Sequence, residues 1–160
     1  MVWVSMLIVG TDISLRLKKR RDFLSEIVVF FTTVIVEIDY VNLPLTDILR
    51  KVTSSGACGR LDFIGECIAE TENGEDFNIA WTESVRRSAL PFTRREREKL
   101  ISLGGLLGTS DAQGQRSILA LFSRSFELYS KKAESTYLRY GRLCITVSGF
   151  LGMGLFVIML

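Results

Sequence analysis

Side chains able to do chemistry are few here, and their types narrow the options early. Histidine is absent from the 160 residues, which removes Ser-His-Asp and Cys-His catalysis, histidine-ligated zinc and the usual proton switch near neutral pH. Cys58, Cys67 and Cys144 show no CxxC spacing. Three thiols are too few for a disulfide framework or a four-thiolate metal site, and they imply a reducing compartment. The run Gly104-Gly105-Leu106-Leu107-Gly108 lacks a following Lys-Ser or Lys-Thr pair and a preceding strand, so helix close-packing and a C-cap explain it better than a phosphate cradle. Carboxylates are plentiful, since Asp62, Glu66, Glu70, Glu72, Glu75, Asp76 and Glu83 make residues 61–85 purely acidic. Nothing marks a pocket around them, and the chain reads as a non-enzyme with no cofactor and no metal.

What the charges can do is bind. Residues 86–99 reverse the sign, with Arg86, Arg87, Arg94, Arg95, Arg97 and Lys99 against Glu96 and Glu98. One reading is a pair of solvated faces that neutralise one another. The other is a docking surface, carried by Glu70, Glu72, Arg86, Arg87, Arg94, Arg95 and Arg97, for a charged cytoplasmic partner. Nucleic acid is not that partner: 20 basic and 18 acidic residues leave a net charge of only +2, and the basic stretch has few aromatics for base stacking.

Helices must position these residues. In Asp22 to Tyr40, DFLSEIVVFFTTVIVEIDY, the β-branched content favours a strand, but Phe23, Ile27, Phe30, Phe31, Val34 and Ile38 follow three- and four-residue steps and predict a helix. Asn42 as N-cap with Pro44 in the first turn opens a second helix over Thr46 to Val52. Arg60 to Glu72 places Leu61, Ile64, Ile68 and Cys67 opposite Asp62, Glu66 and Glu70, and Asn73-Gly74 ends it. A further helix runs from near Glu75 through Phe77, Ala80, Trp81 and Val85. Thr93-Arg-Arg-Glu96 is a capping box that opens a helix to Leu107, and Ser110-Asp-Ala-Gln113 is another, so an αα-hairpin turns at Gly108. Ser110 and Asp111 as cap and first-turn acid contribute about 1–2 kcal/mol together. The fold class is all-α, a bundle of about six helices.

The solvent is set by the chain ends. Leu143 to Leu160 carries no charge, and as a helix it would be about 27 Å long, close to the hydrocarbon thickness of a bilayer. Arg139 and Arg142 precede it, which puts the residues before 143 in the cytoplasm. Ser148 and Gly152 form a small-xxx-small surface for membrane-helix packing. The amino end is uncharged only as far as Asp12, so it spans marginally, and Arg16, Lys18, Lys19, Arg20 and Arg21 follow it. An interfacial helix held by that basic tail against anionic lipid is the alternative. The chain thus divides into an apolar anchor at 1–17, a cytoplasmic helical bundle at 18–142 and a transmembrane helix at 143–160.

Glu37-Ile38-Asp39-Tyr40 with Pro44, Ala80-Trp81-Thr82-Glu83, Leu103-Gly104, and Leu107-Gly108-Thr109-Ser110-Asp111 with Gln115 together resemble the stage III sporulation protein AB family. Its most specific piece is LGxSDxxxQ at 107–115. Val41 and Leu43 stand where the family usually has Gly and Thr. The resemblance implies a bundle similar to the cytoplasmic domain of the type II secretion F-type platform protein, and no enzymatic activity. It implies a mother-cell membrane around the forespore as the location, and partners that include the AA-type secretion ATPase, other membrane proteins of the channel complex and membrane lipid. A platform or adaptor docking that ATPase is the leading expectation. A membrane-tethered regulator that sequesters another cytoplasmic factor is the alternative, and a lipid-modifying enzyme using Asp111 or Glu37 as base is a third.

Overall fold

The computed structural model describes residues 2–40, 43–56 and 58–141. They form six α-helices and, among the described residues, no strand: α1 Val2–Tyr40, α2 Leu45–Ser54, α3 Asp62–Glu72, α4 Phe77–Arg87, α5 Arg94–Thr109 and α6 Ala112–Thr136. A π-helical turn, Tyr137–Gly141, continues α6.

The β-branched stretch is helical, as its periodicity requires. Phe23, Ile27, Phe30, Phe31 and Val34 are buried, while the Thr32 and Thr33 hydroxyls donate back to the carbonyls of Val28 and Val29 at 2.9 Å. That inward face outweighs strand propensity. α1 runs through the 17/18 boundary without interruption: it contains no proline and Gly10 is its only glycine, and the Asp12–Arg16 pair at 2.8 Å adds support one turn apart. Charges from Asp12 to Asp22 interrupt its apolar character, and among the described residues no helix is long and apolar enough to cross a membrane. The expected terminal membrane helix at 143–160, with Ser148 and Gly152, lies outside the described residues, as does Asn42.

α1 and α6 form a long antiparallel pair. At one end Arg116 pairs with Asp39 at 3.1 Å; at the other the Arg21 guanidinium lies 4.6 Å from the Tyr137 ring centre. Between them Phe31 meets Phe126 edge-on at 5.5 Å. α3, α4 and α5 pack as successive antiparallel hairpins on this pair. The core joins the two parts through Phe92, whose ring touches Phe23 at 4.7 Å and Phe63 at 6.3 Å, and Phe63 in turn meets Trp81 at 5.5 Å.

Two helix starts differ from the sequence expectation. α2 begins at Leu45 with Pro44 itself in the N-cap position, in extended backbone and without a side-chain cap; a proline there still forfeits no helical N–H. The second capping box does not form. Ser110 closes α5 by donating its hydroxyl to the Leu106 carbonyl at 2.6 Å, which leaves Asp111 as the N-cap of α6, accepting from the Gly114 N–H at 2.9 Å. α5 therefore runs through Gly108 to Thr109, and the hairpin turns at Ser110-Asp111. The first box is complete, with Thr93 Oγ1 accepting from Glu96 N and Glu96 Oε2 accepting from Thr93 N at 2.8 Å. Gly74, with φ of 95°, ends the α3 side of its hairpin as the Asn73-Gly74 signal requires.

Candidate docking surface

The reversal of charge along the chain is folded into neighbouring helices. Arg87 near the end of α4 reaches Glu70 of α3, Arg86 pairs with Glu83 one turn back at 2.9 Å, and Arg94 pairs with Glu98 at 2.8 Å. Hydrogen bonding to these carboxylates holds the Arg87 and Arg94 guanidiniums above their ordinary pKa, so both are charged at any physiological pH. The three arginines are exposed. Exposed pairs of this kind contribute little to stability, and each arginine can exchange its internal carboxylate for an external one at little cost.

The other candidates have different tasks. Glu72 is held by Arg50 of α2. Arg97 donates through Nη1 to the carbonyls of Val85 at 2.5 Å and Arg86 at 2.9 Å, and through Nη2 to Ser88 O at 3.1 Å. Those carbonyls end α4 and have no helical N–H to accept from, so Arg97 caps a helix to which it does not belong; its guanidinium also lies 5.2 Å from the Phe92 ring centre. Arg95, two residues earlier, turns toward α6. There it lines a cleft of about 510 Å³ with Arg20, Glu96, Tyr129 and Lys132, and it makes no ion pair among the described residues. The structure thus brings Arg87 to Glu70 across α4 and α3, leaves Arg86 and Arg94 exposed with partners on their own helices, and gives Glu72, Arg95 and Arg97 other surroundings.

The motif residues close the fold. Trp81 is fully buried and donates from Nε1 to the Leu100 carbonyl at 2.7 Å. A Cβ at position 104 would stand 2.4 Å from Trp81 Cδ1, so glycine is what lets α5 approach the indole. In the 107–115 stretch, Ser110 ends α5, Asp111 starts α6, and Gln115 Nε2 donates to the Leu107 carbonyl at 3.1 Å. Glu37 accepts from Lys51 Nζ at 2.6 Å, which ties α2 to α1. Tyr40 is 85% exposed and Pro44 caps α2; Gly108 is inside α5.

One tie has no local signature in the sequence. Arg20 donates to Glu96 Oε1 and to the Pro91 carbonyl, each at 2.6 Å. The Glu96 side chain is only 4% exposed, so the capping-box acid is a buried carboxylate fully engaged by Thr93 N and by a guanidinium 76 residues away in sequence. Periodicity cannot link such positions.

Chemistry at the thiols is damped. Burial pushes Cys58 up to about 11, with Glu26 adding to it, and pushes Cys67 up to about 12, where Glu70 adds and a hydrogen bond with Thr71 opposes. Both are neutral in the folded protein. Among the described residues no group of three or more His, Cys, Asp or Glu side chains is placed to hold a metal ion.

Comparison with curated proteins and with solved structures gives no match. The family model of stage III sporulation protein AB, in contrast, matches residues 1–160. A match over the full length, on a chain whose LGxSDxxxQ and Trp81–Gly104 residues build its helical hairpins, means that this protein belongs to the stage III sporulation protein AB family.

Proposed function

We propose that the chain is a membrane-anchored platform or adaptor of the sporulation channel complex, and that its bundle docks the cytoplasmic AA-type secretion ATPase through the exposed side of α3, α4 and α5. The observation that carries this reading is the set of exposed arginines, Arg86, Arg87 and Arg94, whose partners are surface carboxylates, Glu83, Glu70 and Glu98, and which are not required to hold the core. A mixed-sign surface of this kind favours fast, oriented encounter with a partner of complementary pattern. The role is that of a binding scaffold without catalysis, and the bundle is related in architecture to the F-type secretion platform domain. Anchoring is assigned to the uncharged segment 143–160, and the location to the mother-cell membrane around the forespore.

The test is a pull-down of the AA-type ATPase by the full chain carrying Arg86→Glu, Arg87→Glu and Arg94→Glu together. Binding should fall by tenfold or more, on the order of 1.4 kcal/mol, while the helical circular dichroism stays that of the parent. Undiminished capture by the triple variant would remove this surface assignment. Should the parent capture no ATPase but retain another cytoplasmic factor, the regulatory alternative takes its place.

A further inference from the structure

We infer that the end of the bundle formed by residues 16–21 of α1, the start of α5 and the end of α6 is a binding surface for anionic phospholipid headgroups. It extends the membrane-anchoring part of the proposed function and rests on that part alone, not on the ATPase.

Lys18, Lys19, Arg95, Lys132 and Arg139 make no ion pair among the described residues, and the first four are well exposed. They come from three helices distant in sequence, yet they share one end. Arg95 and Lys132 line the same cleft as Leu17 and Arg20. Lys19 lines an adjoining cleft that shares Leu17 and Arg20 with the first. Arg139 follows Tyr137, which lies against Arg21.

The acids at this end do not offset them. Most are already engaged: Asp12 by Arg16, Asp22 by Arg21, Glu96 by Arg20 and Glu98 by Arg94, while Glu26 lies 3.8 Å from Arg60, Asp62 accepts from the Ser88 hydroxyl and Glu134 stands near Arg21. At the opposite end the account reverses: Lys51 and Arg116 are matched by Glu37 and Asp39, and Glu75, Asp76 and Asp111 add negative charge. The bundle is therefore polarised along its long axis, with uncompensated positive charge at the end from which the chain continues, one residue past Gly141, toward the uncharged segment 143–160. Clustered lysines and arginines beside a membrane segment attract anionic lipid, each charge lowering the free energy when near the surface. Between the basic side chains, Leu17 and Tyr129 in the clefts offer apolar surface for the upper part of an acyl chain. A lipid surface fits this geometry better than a protein partner, because the cations are arranged around the end of the bundle and not along a helix face.

The experiment uses the full chain reconstituted in phosphatidylcholine vesicles and in vesicles of phosphatidylcholine mixed with phosphatidylglycerol, with thermal unfolding read from the helical circular dichroism. Phosphatidylglycerol should raise the parent's midpoint by several degrees at low salt, and the rise should vanish at high salt. In Arg95→Gln/Lys132→Gln, whose side chains are exposed and unpaired, the midpoint in phosphatidylcholine should match the parent and most of the rise should be lost. Equal parent midpoints in the two lipids overturn the inference. So does an undiminished rise in the double variant, which would assign the effect to the charges flanking the membrane segment. Flotation with the phosphatidylcholine vesicles keeps the anchoring reading separate: a chain that floats but ignores phosphatidylglycerol sinks only the lipid surface, and one that does not float sinks both.

Discussion

The two ends of the bundle treat the same kinds of side chain in opposite ways. Where α1 meets α2 and α5 turns into α6, almost every polar residue that looks functional in the sequence has a structural partner: Glu37 holds Lys51, Asp39 holds Arg116, Asp111 caps α6 and Gln115 satisfies the Leu107 carbonyl. At the other end Lys18, Lys19, Arg95 and Lys132 have none among the described residues. Residue type alone does not separate these cases. A charge that closes a helix or neutralises a neighbour is part of the fold, and a charge left over after that accounting is available to something outside it.

Substitutions at five positions sharpen this contrast. The largest effect is expected at Glu96→Ala, which leaves Arg20 and the Thr93 N–H without their buried acceptor and should cost about 3 kcal/mol in chemical denaturation. A loss below about 1 kcal/mol would mean that the tie between α1 and α5 contributes no more than a surface pair. Gly104→Ala comes next. Its methyl group must displace the Trp81 ring, and overpacking of this kind costs about 1–3 kcal/mol, so a lowered melting temperature with altered tryptophan fluorescence is the expected signature.

Arg97→Ala against Arg95→Ala is the most direct comparison, since the residues are two apart on one helix. Loss of three charge-assisted bonds to the end of α4 should cost about 1.5–3 kcal/mol, whereas the Arg95 change should stay within about 0.5 kcal/mol. Similar values for both would erase the distinction between fold charge and free charge. At the opposite end, Asp111 separates a cap from a chemical group. Asp111→Ala should cost about 1 kcal/mol as a lost cap, and Asp111→Asn should cost only a few tenths. Loss of sporulation in Asp111→Asn with normal protein levels and stability would instead favour a chemical role for the carboxylate.

Much of the architecture was legible from local pattern. The stripe Phe23, Ile27, Phe30, Phe31, Val34 predicts α1 against its own strand propensity because burial of one face dominates over a few tenths of a kcal/mol per residue. The Thr93–Glu96 box and Asn73-Gly74 are readable because capping involves neighbours three or four residues apart. Reading failed where one residue had two possible local tasks. Ser110 can start α6 or end α5; the Leu106 carbonyl, one turn away, claimed it. Pro44 sits at the boundary of α2 where a one-residue difference decides between cap and first turn.

The docking residues were readable only as a group. Composition marks 86–99 as basic, yet Arg94, Arg95 and Arg97 meet solvent and Glu98, the α6 cleft and the α4 carbonyls respectively, because a helix turns about 100° with each residue and the surroundings on each bearing are supplied by other segments. The sequence by itself determined the helical class, the order of elements, the family and the absence of histidine chemistry, since these follow from composition and from contacts within about one helical turn. Tertiary structure alone decided that Glu96 is buried against Arg20, that Trp81 demands a glycine at 104, and that unpaired cations from three helices share one end. Those outcomes depend on pairs tens of residues apart, whose energies exist only once the helices have packed.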